Sequence, residues 1–173
     1  MESQGENQGA TFTVSFPIAS KLSPQLLEER APESEGNGIH SEFSRILAGL
    51  RILVVDDEAD ARDVMSAILT RCGGEVKCCE STAEALRAFR EWKPDLLVSD
   101  IGMPLEDGYT LIKKLRKLRL KAARQVPAVA LTAYATKEDK ARALANGFQV
   151  HVPKPIEPAA LIRSIATIMG RKV

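Results

Sequence analysis

Residues 51–58 read RILVVDDE, an apolar run, Arg51–Val55, that passes directly into three acids, Asp56, Asp57 and Glu58. A run of this kind, aliphatic and without polar alternation, suits a strand buried on both faces. Beyond the acids the period changes. Ala61, Val64, Met65, Ile68, Leu69 and Cys72 recur at helical spacing, and Gly73–Gly74 supplies a stop.

The same strand-then-helix unit continues to the C-terminus. Glu75–Cys79 reads as a second strand, and the next helix opens at Ser81-Thr82-Ala83-Glu84, a capping-box pattern, and ends before Pro94. Asp95–Ser99 is the third strand, with a helix starting near Gly108. Ala128–Leu131 is the fourth, with a helix running to Asn146–Gly147. Phe148–Val152 is the fifth. Pro158 then sits in the first turn of a helix whose buried face is Leu161, Ile162, Ile165, Ile168 and Met169. Five such units predict a doubly wound α/β fold, a five-stranded parallel sheet with five helices on its two faces. Periodicity alone does not order the strands.

Composition is consistent with that fold. The 173 residues are 45% hydrophobic and 27% charged, enough apolar content for a packed core. The net charge of +1 is unevenly spread: residues 1–50 carry three basic residues against seven glutamates, a net −4, which leaves +5 for the rest. Neither part has the basic excess of a nucleic-acid binder. No apolar run is long enough to span a membrane, and no secretory leader pattern opens the chain. Cys72, Cys78 and Cys79 form no CxxC pair, so a zinc site is not expected, and a cytoplasmic location with reduced thiols is.

In an open α/β sheet, ligands sit at the carboxyl ends of the strands. The residues found there are Asp56, Asp57 and Glu58 after the first strand, Asp100 after the third, Thr132 after the fourth and Lys154 just past the fifth. Converging carboxylates repel one another unless a cation holds them, and an all-oxygen donor set suits Mg²⁺. A metal beside a lysine is an environment for phosphoryl transfer, which depends mostly on positioning and charge neutralisation. Each residue also has a plain structural reading. The acids after the first strand suit a helix N-terminus, Thr132 a helix cap (Thr136 is better placed for that), and Lys154 a solvated turn. Those readings do not account for all four strand ends at once.

Taken in order, LVVDDE (Leu53–Glu58), LLVSDIGMP (Leu96–Pro104), ALTAY (Ala130–Tyr134) and VPKP (Val152–Pro155) resemble the receiver domain of response regulators across residues 51–170. The resemblance implies strand order 2-1-3-4-5. It implies Asp100 as the residue that takes phosphate from a phosphohistidine, and Asp57, Asp100 and the Gly102 carbonyl as direct Mg²⁺ ligands, with Asp56 acting through water. It further implies Thr132, the Ala133 amide and Lys154 as phosphoryl-binding groups, with Glu58 capping the first helix rather than binding metal. Thr132 and the residue at position 151 would form the conformational switch. That position is often Tyr or Phe in the family and is His151 here, which could make the switch pH-sensitive. Gly102 and Tyr134 flank the expected path of attacking water, one offering no side chain and the other bulk, which predicts a long-lived phosphorylated form.

Two other functions share these residues. An aspartyl-phosphate phosphohydrolase also uses Asp, Thr, Lys and Mg²⁺, but typically places a second Asp two residues after the nucleophile, where this chain has Gly102. A degenerate receiver serving only as a binding module is disfavoured by the complete set of phosphorylation residues. The basic run Lys113, Lys114, Arg116, Lys117, Arg119, Lys121 and Arg124 reads first as a solvated face, with an acidic partner as the alternative.

The N-terminal part differs in character. Ala10–Ile18 (ATFTVSFPI) alternates like a strand and, with Gly9, resembles the closing strand of the ATP-binding domain of sensor histidine kinases. Residues 20–39 have linker composition, and Ser41 can cap a short helix bearing Phe43, Ile46, Leu47 and Leu50 on one face. The expected organisation is a kinase-domain remnant over 1–19, a linker over 20–49 and the receiver over 50–173, the C-terminal piece of a hybrid sensor histidine kinase. Its partners would be a histidine kinase or a histidine phosphotransfer protein, with output by protein contact or onward phosphotransfer.

Overall fold

The computed structural model describes residues 43–133 and 136–172, the side chains of Lys121 and Ala122 excepted. The strand expected over Ala10–Ile18, the linker over 20–39, the Ser41 cap and Tyr134 lie outside the described residues.

Five strands, β1 (Arg51–Val55), β2 (Glu75–Cys79), β3 (Leu96–Asp100), β4 (Ala128–Thr132) and β5 (Val150–Pro153), form a single sheet in the order β2-β1-β3-β4-β5. Every neighbouring pair is parallel. The helices are α1 (Ala59–Arg71), α2 (Thr82–Trp92), α3 (Gly108–Lys117), α4 (Lys121–Gln125), α5 (Lys137–Asn146) and α6 (Pro158–Ile168). The strand order implied by the resemblance is the observed one. Among the described residues there are six helices rather than five, because residues 121–125 coil into α4, too short for any periodicity to show. Arg116 braces it by donating to the Ala123 carbonyl at 3.1 Å.

Strand residues alternate between two cores, as the two-residue period requires. Leu53, Val55, Leu97, Ala128 and Ala130 face one side, packing with Ala85, Phe89, Leu111, Ile112, Leu115 and Phe148. Ile52, Val54, Leu96, Val98, Val129 and Leu131 face the other, packing with Met65, Leu69, Leu161, Ile162 and Ile165. β1, β3 and β4 are buried almost throughout, which is why their sequences carry no polar alternation. The fifth strand begins at Val150 rather than Phe148. The Phe148 amide instead caps α5 through the Ala143 carbonyl at 3.2 Å, after Gly147 at φ 109°.

Residues 43–50 depart from the expected short helix. They form successive turns, with Ile46 N–H donating to the Phe43 carbonyl and Ala48 N–H to that of Arg45, and with positive φ at Arg45 (62°) and Gly49 (77°) breaking helical continuity. Phe43, Leu47 and Leu50 are nevertheless buried, in the same cluster as Leu69, Leu161 and Ile165. The Leu47 amide bonds the Cys72 carbonyl at 2.9 Å, and Arg171 donates to the carbonyls of Ile46 and Ala48. These residues belong to the packed unit. Among the described residues no helix is long and apolar enough to cross a membrane.

Candidate functional site

The site lies where β1 and β3, adjacent in the sheet, present their C-terminal ends together. Asp56 directly follows β1 and Asp100 ends β3. Both are buried, while Asp57 is exposed. One carboxylate oxygen from each of the three can be chosen so that all lie within 4.8 Å of one another.

Lys154, arriving from the end of β5, places its ammonium 3.0 Å from Asp56 Oδ2 and 3.1 Å from Asp100 Oδ1. Two buried carboxylates thus share one cation, which makes their burial tolerable. Burial pushes the Asp100 carboxyl above the usual carboxylate range, and the bond from Lys154 pulls only partly against it. On Lys154 burial pulls the other way, but its bonds to Asp56 and Asp100 prevail and its pKa is raised. The remaining oxygens are also engaged. Asp56 Oδ1 accepts from the Glu58 amide at 3.0 Å, and Asp100 Oδ2 accepts from the Gly102 amide at 3.1 Å.

Local structure fixes these positions. Arg62, on α1, donates from one nitrogen to the carbonyls of Asp56 (2.7 Å) and Asp57 (2.9 Å), clamping the loop that bears both acids. Nothing in the sequence distinguishes Arg62 from a solvated arginine, and its role was not foreseeable. Glu58 does stand at the N-cap position of α1, but its side chain makes no capping bond. At the far side of the site, Asp107 Oδ1 caps α3 by accepting from the Thr110 amide at 2.7 Å, with Gly108 just inside that helix. A Cβ on Gly108 would stand 2.3 Å from the Asp100 carbonyl oxygen, so only glycine allows α3 to approach β3 this closely.

Thr132 ends β4, buried, and Thr136 rather than Thr132 caps α5 by accepting from the Asp139 amide at 3.1 Å. The Thr132 carbonyl accepts from the Lys154 amide at 2.7 Å, joining the β4 and β5 ends. The Thr132 hydroxyl lies 2.7 Å from His151 Nε2. Ala133 follows, exposed, at the same rim. The basic run divides by role. Arg116 is held by the carbonyls of Ala123 and Gly147, Lys114 pairs with Glu106, and Lys113, Lys117, Arg119 and Arg124 are exposed.

A five-stranded parallel sheet of this order is a fold shared with known proteins. The sequence model of the response regulator receiver domain matches residues 52–166, and the chain belongs to that family. It is 43% identical over 119 residues to an uncharacterized 14.6 kDa protein of Leptolyngbya boryana, covering 69% of this chain and 89% of that one. It is 31% identical over 157 residues to hybrid signal transduction histidine kinase D of Dictyostelium discoideum, covering 87% of this chain but only 10% of the kinase. The phosphate regulon transcriptional regulatory protein PhoB of Escherichia coli is 35% identical over 121 residues, 70% of this chain and 52% of PhoB. Among solved structures, the chemotaxis response regulator CheY4 of Vibrio cholerae superposes with a TM-score of 0.64 at 27% identity, covering 69% of this chain and 98% of that one.

Proposed function

We propose that the chain accepts a phosphoryl group on Asp100 from a phosphohistidine donor and acts as a relay or switch in a two-component pathway. The observation that carries this reading is the placement of the Lys154 ammonium against Asp100, with Asp56 and Asp57 clustered at the same rim. A carboxylate oxygen of Asp100 forms the new O–P bond while the donor's P–N bond breaks. The bonding pair stays on the departing imidazole nitrogen, and the product is an acyl phosphate. Burial raises the basicity of the Asp100 carboxylate and so favours it as nucleophile. Lys154, already 3.1 Å from Oδ1, can follow the charge from carboxylate to phosphoryl oxygen without moving far. Thr132, at the end of the neighbouring strand, and the Ala133 amide after it would bind the remaining phosphoryl oxygens.

The all-oxygen donor set fits Mg²⁺. Asp57, which is exposed, and Asp100 would ligate it directly with the Gly102 carbonyl, and Asp56, whose oxygens accept from the Glu58 amide and Lys154, would act through water. When bound, the ion would neutralise charge on the transferring group. Beside this rim, Ala61, Val64, Met65, Ile68, Pro155 and Ile156 line an open apolar hollow of about 320 Å³, suited to an amphipathic helix of a histidine kinase or phosphotransfer protein. Descent from a hybrid histidine kinase is supported by the Dictyostelium alignment: its 157 residues exceed the stretch from residue 52 to the C-terminus, so it extends upstream of the receiver.

The test is labelling by phosphoramidate, whose P–N bond stands in for phosphohistidine, with and without Mg²⁺, read by mass spectrometry. The parent should gain one Mg²⁺-dependent phosphoryl group and Asp100→Asn none. Undiminished labelling of Asp100→Asn would refute the assignment.

A further inference from the structure

The net charge of +5 over residues 51–173 hides a separation of charge along the strand axis. Acids gather at the end that holds Asp100: besides Asp56 and Asp57, the first turns of α1, α2 and α5 there bear Asp60, Glu84, Glu138 and Asp139. The opposite end, where helices run out and strands begin, is basic. Arg51, which opens β1, donates to the carbonyl of Trp92, the last residue of α2, at 2.7 Å. The Leu97 amide of β3 donates to the Pro127 carbonyl, just before β4, at 2.9 Å. The end of α2 and the α3–α4 segment leading to β4 therefore share this end of the sheet, about 15 Å from the Asp100 rim by the rise of a strand. Arg90, Lys93, Lys117, Arg119 and Arg124 are exposed here, and among the described residues none of them is in an ion pair. Leu120 stands with them at 46% exposure. The acids described at this end are Glu75 and Glu91, both exposed, and Asp95, which pairs with Arg51.

The helix macrodipole favours cations at helix C-termini, which accounts for Arg90, Lys93 and Lys117. It does not account for Arg119, in the turn past α3, or for Leu120, an apolar side chain half in water between Arg119 and Lys121. We infer that this end of the molecule is a docking surface for a membrane of anionic phospholipid. The cations stand on the ends of separate elements rather than along one groove, which suits a broad anionic surface better than a single acidic peptide. Lysine and arginine reach headgroup phosphates on long apolar stems, and Leu120 gains by entering the headgroup boundary. The phosphates of a nucleic acid would engage the same cations but leave Leu120 in water. Docked in this way, the chain turns its Asp100 rim away from the membrane. The inference is independent of the phosphoacceptor reading, since it uses the other end of the sheet.

In the test, the full chain is mixed with vesicles of phosphatidylcholine, with and without phosphatidylglycerol, at low and high salt, and binding is read by co-sedimentation. The chain should bind only the anionic vesicles and leave them at high salt. Arg119→Gln/Arg124→Gln should weaken binding by about 25-fold, from roughly fivefold per cation near a charged bilayer. Lys117→Gln/Arg119→Gln should give a similar loss. Leu120→Ser should weaken binding by about fivefold, the share of a leucine's transfer energy still to be gained at half exposure. Lys137→Gln/Lys140→Gln removes the same charge from exposed residues at the start of α5, near the acid rim, and should change binding little. Each variant should keep the parent's thermal unfolding midpoint, because every substituted side chain is exposed. No binding to anionic vesicles, equal binding to neutral ones, equal losses from the charge-matched pairs, or binding insensitive to Leu120→Ser would each overturn the inference. So would tighter binding of duplex DNA or of polyglutamate than of the vesicles, which would assign the surface to a nucleic acid or an acidic protein.

Discussion

Replacing Lys154 by methionine tests how the acid cluster is held together. Methionine keeps most of the side chain's length and apolar stem but removes the charge that Asp56 Oδ2 and Asp100 Oδ1 share at 3.0 and 3.1 Å. Removing one partner of a buried ion pair leaves an uncompensated charge, and the cost is typically about 3–5 kcal/mol. The Lys154 side chain keeps 28% of its exposure, which puts the expected loss at the lower end, about 3 kcal/mol at neutral pH or roughly 10 °C in Tm. The pH dependence has a definite sign. Asp100 is already raised above its unfolded value by burial, and losing Lys154 raises it further. The folded variant therefore holds a proton more tightly than the unfolded chain between those two pKa values, and its stability falls as pH rises through that window. The deficit should be full at neutral pH and shrink under mildly acid conditions, where one carboxyl becomes neutral. Added Mg²⁺ should also narrow it. Urea unfolding followed by the fluorescence of Trp92, the chain's single tryptophan, measures all of this. A variant as stable as the parent, or a deficit independent of pH, would refute the account of Lys154 as the cluster's counter-charge.

The difference between the paired acids gives a second expectation. Asp57→Ala should weaken Mg²⁺ binding more than Asp56→Ala, because both Asp56 oxygens already have partners, and titration calorimetry showing the reverse order would contradict those roles. Phe43→Ala should destabilise the chain by about 3–5 kcal/mol, the usual cost of truncating a fully buried phenylalanine. Thermal unfolding unchanged by that substitution would mean that residues 43–50 contribute nothing to the core they occupy.

Much of this molecule is legible from local chemistry. RILVV, LLVS and AVAL are recognisable as buried strands because both faces of β1, β3 and β4 meet apolar layers, which confines polar residues to the strand ends. Ser81 and Thr136 cap the helices they were expected to cap, since a cap acts within one turn of chain. Less was legible in residues 43–50. Their apolar spacing reads as a helix, but the turns at Arg45 and Gly49 follow from docking against Cys72 and Arg171, far along the sequence. For Glu58, position predicted a cap, but in the structure the Asp56 carboxylate takes the Glu58 amide and the Glu58 side chain makes no capping bond.

The sequence by itself determined which residues stand at the strand ends, because strand length and side-chain period follow from the apolar pattern within each segment. It thereby placed Asp56, Asp57, Asp100, Thr132 and Lys154 on one rim. Only the tertiary structure decided how they meet: that Lys154 bridges two carboxylates, that Arg62 clamps the Asp56–Asp57 loop, and that His151 bonds Thr132. The physical reason is one of range. Periodicity records how a residue faces its own segment, whereas a hydrogen bond between residues 98 positions apart, such as Lys154 to Asp56, depends on ångström-scale registration of separate strands that no local pattern encodes.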